Sequence, residues 1–314
     1  MSRVSSPGRA ALLTSVALSA APFVHAESLI AGAPENLEVS AGGGLRYEDN
    51  LVVESLDVSS AQSDVAAVAK LDLGYDKDEA WGETDLRSGY SLEDRRYFEE
   101  KDFNLQVHYG YLDLSREVFD LTAGAMMDAT YARVGGSSLL NSQKLTGYVT
   151  DLVTRQLYVR GSVGLERTTI EGNEGRDNNG QRLDGSAFYF LDGTEQYLTA
   201  KARFSREQAD NDVFDYQAER ISLGYVQRLG IPEQWPVRVR ADWRYEMRRY
   251  GEFDPGLGVK RQDFRQRWRL RLDAPVTDAV SLQLKVEHRN YNSNNPALDF
   301  DDNRIQMLVD VALI

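Results

Sequence analysis

Residues 237–249 read VRVRADWRYEMRR and residues 264–272 read FRQRWRLRL, with arginine at nearly every second position and apolar residues mostly between. A helix would scatter such a pattern around its circumference. A strand sends successive side chains to opposite faces and keeps the two sets apart. One face of the first segment is then Val237, Val239, Ala241, Trp243, Tyr245 and Met247, and the other is Arg238, Arg240, Asp242, Arg244, Glu246 and Arg248. A soluble sandwich also alternates, but its polar face meets bulk water and has no need of so many guanidiniums. Lipid on one side and a watery lumen on the other account for both rows.

The N-terminus indicates export. Arg3 and Arg9 precede an apolar, small-residue stretch over residues 10–24, and Val24-His25-Ala26 follows before Glu27. That order is a secretory signal peptide, with cleavage expected after Ala26. Residues 1–26 are thus read as the signal, 27–36 as a short periplasmic lead-in and 37–314 as one membrane domain. No later segment is a continuous apolar run long enough for a transmembrane helix. The chain has no cysteine, so an exported protein of this kind has to be held by something other than disulfides. A closed sheet of backbone hydrogen bonds is one solution.

Alternating segments follow one another with no linker between them. Their apolar rows begin with Leu37, Val39, Ala41, Leu45 and Tyr47, then Val65, Ala67, Ala69, Leu71, Leu73 and Tyr75. Leu86, Tyr90 and Leu92 come next, followed by Phe103, Leu105, Val107, Tyr109 and Tyr111, then Phe119, Leu121, Ala123, Ala125 and Met127. Further rows start at Leu145, Leu157, Leu198 and Ile221 and, beyond the arginine-rich pair, at Leu282 and Ile305. Residues 183–191 are ambiguous because Phe188, Tyr189 and Phe190 are consecutive. The expectation is an all-β protein: a single antiparallel transmembrane β-barrel of about 14 strands, an even number as in single-chain bacterial barrels. Tyrosine dominates the aromatics, with 16 Tyr against 11 Phe and 4 Trp, which suits rings placed at a membrane–water interface.

The connections alternate as well. Short ones fall at 76–80, 115–118, 151–154, 192–194, 230–236 and 274–279. Longer polar ones fall at 52–63, 93–101, 132–138, 168–181, 207–213, 251–261 and 292–303. Short periplasmic turns and longer extracellular loops are the outer-membrane arrangement. An outer-membrane location implies membrane lipid, lipopolysaccharide and the barrel-insertion machinery as partners.

Both ends of the chain resemble a known group. Ser293-Asn294, Asp299-Phe300 and the alternating residues 305–313 resemble the last hairpin of barrels in the surface lipoprotein assembly modifier and putative β-barrel porin families. Leu45-Arg46-Tyr47-Glu48-Asp49-Asn50 resembles the end of their first strand. The resemblance implies a Gram-negative outer-membrane barrel. Assembly modifiers carry a helical-repeat domain before the barrel, and only residues 27–36 separate the expected signal from the first strand here.

The expected lumen is unevenly charged. Its basic wall is Arg220, Arg238, Arg240, Arg244, Arg248, Arg265, Arg267, Arg269, Arg271, Lys285 and Arg289, interrupted by Asp242, Glu246, Asp263 and Glu287. Facing it, strands three to five offer Glu83, Asp85, Asp102, Asp120 and Asp128, with Arg87 and His108. Opposed walls would set up a transverse field, and arginine rings select anions. The expected activity is a porin-like channel for small anionic or polyhydroxylated solutes, including sugars. The alternatives are an export barrel for polysaccharide or surface lipoprotein and a closed structural or adhesive barrel. Equally, the guanidiniums could pair with neighbouring carboxylates and fill the lumen.

Other classes fit poorly. The chain carries 36 Lys+Arg against 49 Asp+Glu, a net charge of −13, which argues against nucleic acid as a partner. Beyond the signal the histidines are His108 and His288, and thiol chemistry is excluded. An enzyme is not expected, although His108, read as inward, could lie near Ser88, Ser91 or Asp85. His288 reads as a rim residue. No cofactor or metal is expected; Asp299, Asp301 and Asp302 read as a solvated loop rather than a calcium site.

Overall fold

Every one of the alternating segments has two edges that need partners, and a sheet closed on itself supplies them all. The structure, a computed structural model, describes residues 34–53, 58–230, 236–256 and 258–314. The expected signal segment lies outside these residues, as does most of the lead-in. Fourteen strands form one closed antiparallel barrel, each paired with its sequence neighbours and the last with the first. They are β1 (Leu37–Glu48), β2 (Asp64–Lys77), β3 (Thr84–Tyr97), β4 (Leu105–Val118), β5 (Leu121–Val134), β6 (Ser137–Thr154) and β7 (Leu157–Ile170). The second half is β8 (Asn178–Asp192), β9 (Gln196–Ala209), β10 (Tyr216–Leu229), β11 (Val237–Asp254), β12 (Val259–Pro275), β13 (Val280–Ser293) and β14 (Phe300–Ala312). Strands run from 12 to 18 residues, where about 9–11 suffice to cross a membrane at the usual tilt. The excess projects beyond the membrane.

That projection moves several expected boundaries. Residues 132–138 read as a loop, yet β5 and β6 continue through them to a two-residue turn, Gly135-Gly136, with φ of 57° and 86°. Both values lie in the region glycine enters without a steric penalty, as a tight hairpin turn demands. Likewise β11 extends to Asp254 and β12 resumes at Val259, so much of 251–261 is ladder. Polar sequence there marks where strands leave lipid, not where they end.

The register assigns every strand a lipid face and a lumen face. Buried polar and charged side chains fall on one row, including Ser40, Arg46 and Glu48 on β1 and Asp302 and Gln306 on β14. The other row carries exposed large hydrophobics such as Leu145, Val163, Leu165, Leu183, Leu223 and Met307. Exposure of that kind would cost a soluble protein solubility, and in a bilayer it is the contact surface. Val239, Ala241, Trp243, Tyr245 and Met247 belong to this outward row. The ambiguous stretch resolves with Tyr189 outward and Phe188 inward, the latter packed edge-on against Tyr158 with ring centroids 5.6 Å apart.

One strand reverses the expected phase. Leu105, Val107, Tyr109 and Tyr111 on β4 face the lumen, because Tyr111 pairs with the inward Asp128 and Tyr109 with the inward Ser91. Farther along the same row Asp113 and Ser115 are buried, and the Tyr148 hydroxyl donates to Asp113 over 2.7 Å. The outward row of β4 is Gln106, His108, Gly110 and Leu112. Hydrophobicity alone selects the wrong face, since the lumen row is the more apolar of the two.

The triple glycine of β1 serves closure. β1 and β14 pair from Ser40↔Ala312 to Glu48↔Arg304. A Cβ on Gly44 would lie 1.9 Å from the Met307 carbonyl oxygen and 2.9 Å from the Leu308 Cα. Backbone cannot yield as a flexible side chain can. Gly44→Ala is therefore expected to destabilise the barrel by about 1–3 kcal/mol, the usual cost of overpacking. Urea titration of the vesicle-inserted protein measures it; an unchanged midpoint would remove this account of the glycine.

Residues 49–63, joining β1 to β2, form the longest connection and turn part of their length into the barrel mouth. A two-stranded ribbon pairs Val52–Val53 with Val58–Ser59. Leu51, 1% exposed, packs on Ala66 and Tyr97, which both belong to the lumen row, with Phe103 alongside. This end of the barrel is termed the loop end below. The opposite end, where Leu37 and Ala312 lie, is the turn end.

Candidate functional site in the barrel lumen

All eleven cations of the expected basic wall sit on lumen-facing rows, but they do not form one uniform ladder. The loop-end part is a dense ion-pair network. Glu48 receives Arg46 at 2.5 Å, Arg304 at 2.9 Å and the Tyr97 hydroxyl at 2.7 Å. Asp302, 0% exposed, is held by Arg304 at 2.6 Å and by Arg289. Asp263 takes Arg261 at 2.8 Å and the Tyr291 hydroxyl at 2.6 Å, with Arg265 at 3.9 Å. Glu246 bridges Arg248, at 2.6 Å, and Arg220. Glu287 draws Arg269 to 2.6 Å and Arg267 to 3.9 Å, and toward the turn end Arg271 pairs with Asp273 at 2.7 Å. Seven of the eleven thus have carboxylate partners: Arg220, Arg248, Arg265, Arg267, Arg269, Arg271 and Arg289.

Arg238, Arg240, Arg244 and Lys285 are different. Among the described residues none of these four has a carboxylate within ion-pair distance. Three cations overlooked in the sequence join them, Lys201 on the inward row of β9, Lys70 on that of β2 and Arg160 on that of β7. Lys201 has only the Phe188 ring, 5.6 Å from its Nζ, and its exposure on an inward row shows that the lumen wall along β9 is wet. Its place between Ala200 and Ala202 in an alternating strand was the signal that could have found it.

The acidic wall expected opposite does not assemble. Glu83 lies just before β3 and its exposed side chain pairs with Arg116 at 2.9 Å. Asp120 occupies the turn between β4 and β5. Asp85 is at the turn-end rim of β3, accepting from the Glu79 backbone amide at 3.1 Å. Asp102 belongs to the short helical turn 101–103 at the loop end. Only Asp128 projects deep into the lumen, and Lys144 stands 3.6 Å from it. These four acids sit near strand ends because turns are polar, so sequence proximity to a strand misled. What faces the arginines instead is the reversed row of β4, seven strands from β11 in a ring of fourteen, with Tyr109 and Tyr111 side by side at 6.1 Å.

The histidine constellation dissolves as well. His108 is on the lipid-facing row, its Nδ1 2.7 Å from the Tyr90 hydroxyl and its ring 5.9 Å from that of Tyr131. Ser91 and Asp85 are on the opposite face. His288 is outward too, with Asn303 at 2.9 Å. The three aspartates of the last hairpin diverge: Asp302 points inward, Asp301 takes the Asn290 side chain outside, and Asp299 accepts from the Ser293 amide. No group of metal-binding side chains occurs among the described residues.

A closed fourteen-stranded barrel with an apolar exterior and a charged interior is a multi-pass β-barrel of the outer membrane. No family model matches the chain, and no curated protein matches it in sequence. Solved structures resemble it in fold. OprB of Pseudomonas putida covers 88% of this chain over 93% of its own length, with 9% identity and a TM-score of 0.50. An anion-selective porin from Comamonas acidovorans covers 88% over 98% of its length, with 10% identity and a TM-score of 0.49. OmpT of Vibrio cholerae covers 89% over 99%, with 9% identity and a TM-score of 0.48.

Proposed function

We propose that this barrel is a passive channel for small solutes with a preference for anions, its selectivity set by Arg238, Arg240, Arg244, Lys201 and Lys285. The observation that carries the reading is the split within the basic wall. Seven of the expected cations have carboxylate partners within the barrel, several of them sharing one carboxylate, and serve the structure. The remainder have no carboxylate within ion-pair distance among the described residues, and their excess over Asp242 on the same row lowers the energy of a passing anion. The turn end faces the periplasm in this reading, residues 1–26 are removed after Ala26, and the insertion machinery of the outer membrane assembles the chain among lipopolysaccharide.

Planar-bilayer recording of the purified barrel tests this. Discrete conductance steps are expected, with a reversal potential displaced toward the chloride equilibrium potential under a salt gradient. A barrel that inserts and gives no steps is closed, and the channel reading fails. Steps with cation preference would overturn the selectivity alone.

A further inference from the structure

A cavity of about 560 Å³ opens at the turn end of the lumen, within the ~300–1,000 Å³ span of small-molecule sites. Its lining includes groups of both signs of charge without side-chain partners among the described residues. Lys70 and Arg238 line it together with Glu38, Asp72 and Asp310. Among the described residues none of these five has a hydrogen-bond or ion-pair partner within the protein. Donors and acceptors left open side by side suit a ligand that offers both, which a simple anion does not. Hydroxyl groups do, since each can donate to a carboxylate and accept from a guanidinium or ammonium.

The floor of the cavity supplies a second requirement. Tyr111 and Tyr109 both line it. The Tyr111 ring packs over Gly89, where a Cβ would come within 2.4 Å of its Cε1. Glycine is needed at that position for this close approach, which seats against the wall a ring that also lines the cavity. The barrel holds a second ring seated the same way. Tyr148 lies over Gly124 at 2.3 Å from the Cβ position, and there the open face is covered by the Arg160 guanidinium, 3.7 Å from the ring centroid. A glycine-seated tyrosine in this lumen therefore accepts a flat group on its free face. At Tyr111 no guanidinium or ammonium lies over the ring among the described residues, and its ring neighbour is Tyr109 at 6.1 Å.

We infer that this cavity is a subsite for a neutral, polyhydroxylated solute, a pyranose sugar stacked on Tyr111 with its hydroxyls shared among Asp72, Asp310, Lys70 and Arg238. The site lies beyond the anion preference proposed above and is independent of it, because its lining carries carboxylates as well as cations. An aromatic anion would use the tyrosine and the cations but would leave Asp72 and Asp310 unsatisfied and repelling.

Calorimetric titration of the full-length barrel, folded in detergent, with D-glucose tests the subsite without requiring conduction. Binding in the millimolar range is expected, unchanged in Tyr111→Phe and weakened about tenfold in Tyr111→Ala, the scale of one lost ring contact. Circular dichroism and heat-modifiable gel migration establish that each variant is folded. Arg244→Gln, outside the cavity, should bind glucose like the parent while lowering the anion preference about threefold, which separates this inference from the channel reading. Two results would overturn it: no heat from glucose with the parent barrel, or equal affinity in Tyr111→Ala. Benzoate binding where glucose does not would assign the cavity to aromatic anions instead.

Discussion

Replacing Arg240, Arg244 and Lys285 together by glutamine is expected to lower the anion-over-cation permeability ratio about tenfold. At about 7 Å in water-like surroundings one unit charge changes the energy of an ion by about 0.6 kcal/mol. Three such charges on one wall therefore contribute on the order of 1.8 kcal/mol unscreened, and counter-ions at about 0.1 M reduce this toward the about 1.4 kcal/mol that is a factor of ten. Glutamine keeps the side-chain bulk, so a change in pore width is not the cause. Reversal potentials should be read at about 0.1 M salt, where screening extends over about 10 Å, because at 1 M it shrinks to about 3 Å and the preference fades. Arg220 and Arg248 are the internal comparison: both already spend their charge on Glu246. Removing Arg220 and Glu246 together takes away one charge of each sign and should leave the ratio nearly where it was. An unchanged ratio in the triple variant would end the assignment of selectivity to these residues.

The exterior of the barrel was far more legible in the sequence than its interior. Lipid imposes one rule, apolar at every second residue, and Val237 to Met247 or Ile305 to Leu313 obey it without reference to any other strand. The strand number and closure follow from counting such rows. Inside, a residue's role depends on which strand stands beside it and at what register. Arg244 and Arg248 are four residues apart on one row of β11, yet only the second has a carboxylate, because Glu246 reaches toward Arg248 and Arg220. No periodicity contains that information. The reversed phase of β4 has the same origin. Tyr109 and Tyr111 look like an interface row until the register puts Tyr111 opposite Asp128 and Ser91 opposite Tyr109. The expected acidic wall failed for a related reason: Glu83 and Asp120 flank strands without belonging to them. Turn chemistry supplies acids just where a strand begins, and composition cannot say on which side of the boundary each one falls.

Asp302→Ala should destabilise the barrel by about 3–5 kcal/mol, the cost of removing one partner from a buried charge cluster. Asp302 is fully buried and holds two guanidiniums, Arg289 on the neighbouring β13 and Arg304 on its own strand, while Arg304 reaches on to Glu48 of β1 at 2.9 Å. The chain of contacts thus runs β13–β14–β1 and crosses the one junction in the barrel that no hairpin connects. Hairpin partners are brought together by a short turn, whereas β1 and β14 meet only after the whole chain has been placed. Side-chain pairing at that seam has to supply what covalent proximity supplies elsewhere. Taking away the central carboxylate leaves two positive groups facing each other, with Glu48 close to Arg304 alone and Glu287 3.8–3.9 Å from both. Replacing Arg289 and Asp302 together by methionine and leucine should recover a large part of the loss, since an apolar pair of similar volume often matches a buried ion pair. Urea unfolding of vesicle-inserted barrels measures both variants, and the difference between them isolates the stranded charge from the lost contacts. A shift below about 1 kcal/mol for Asp302→Ala, the range of an exposed ion pair, would mean that water reaches the seam and that the network does not lock it.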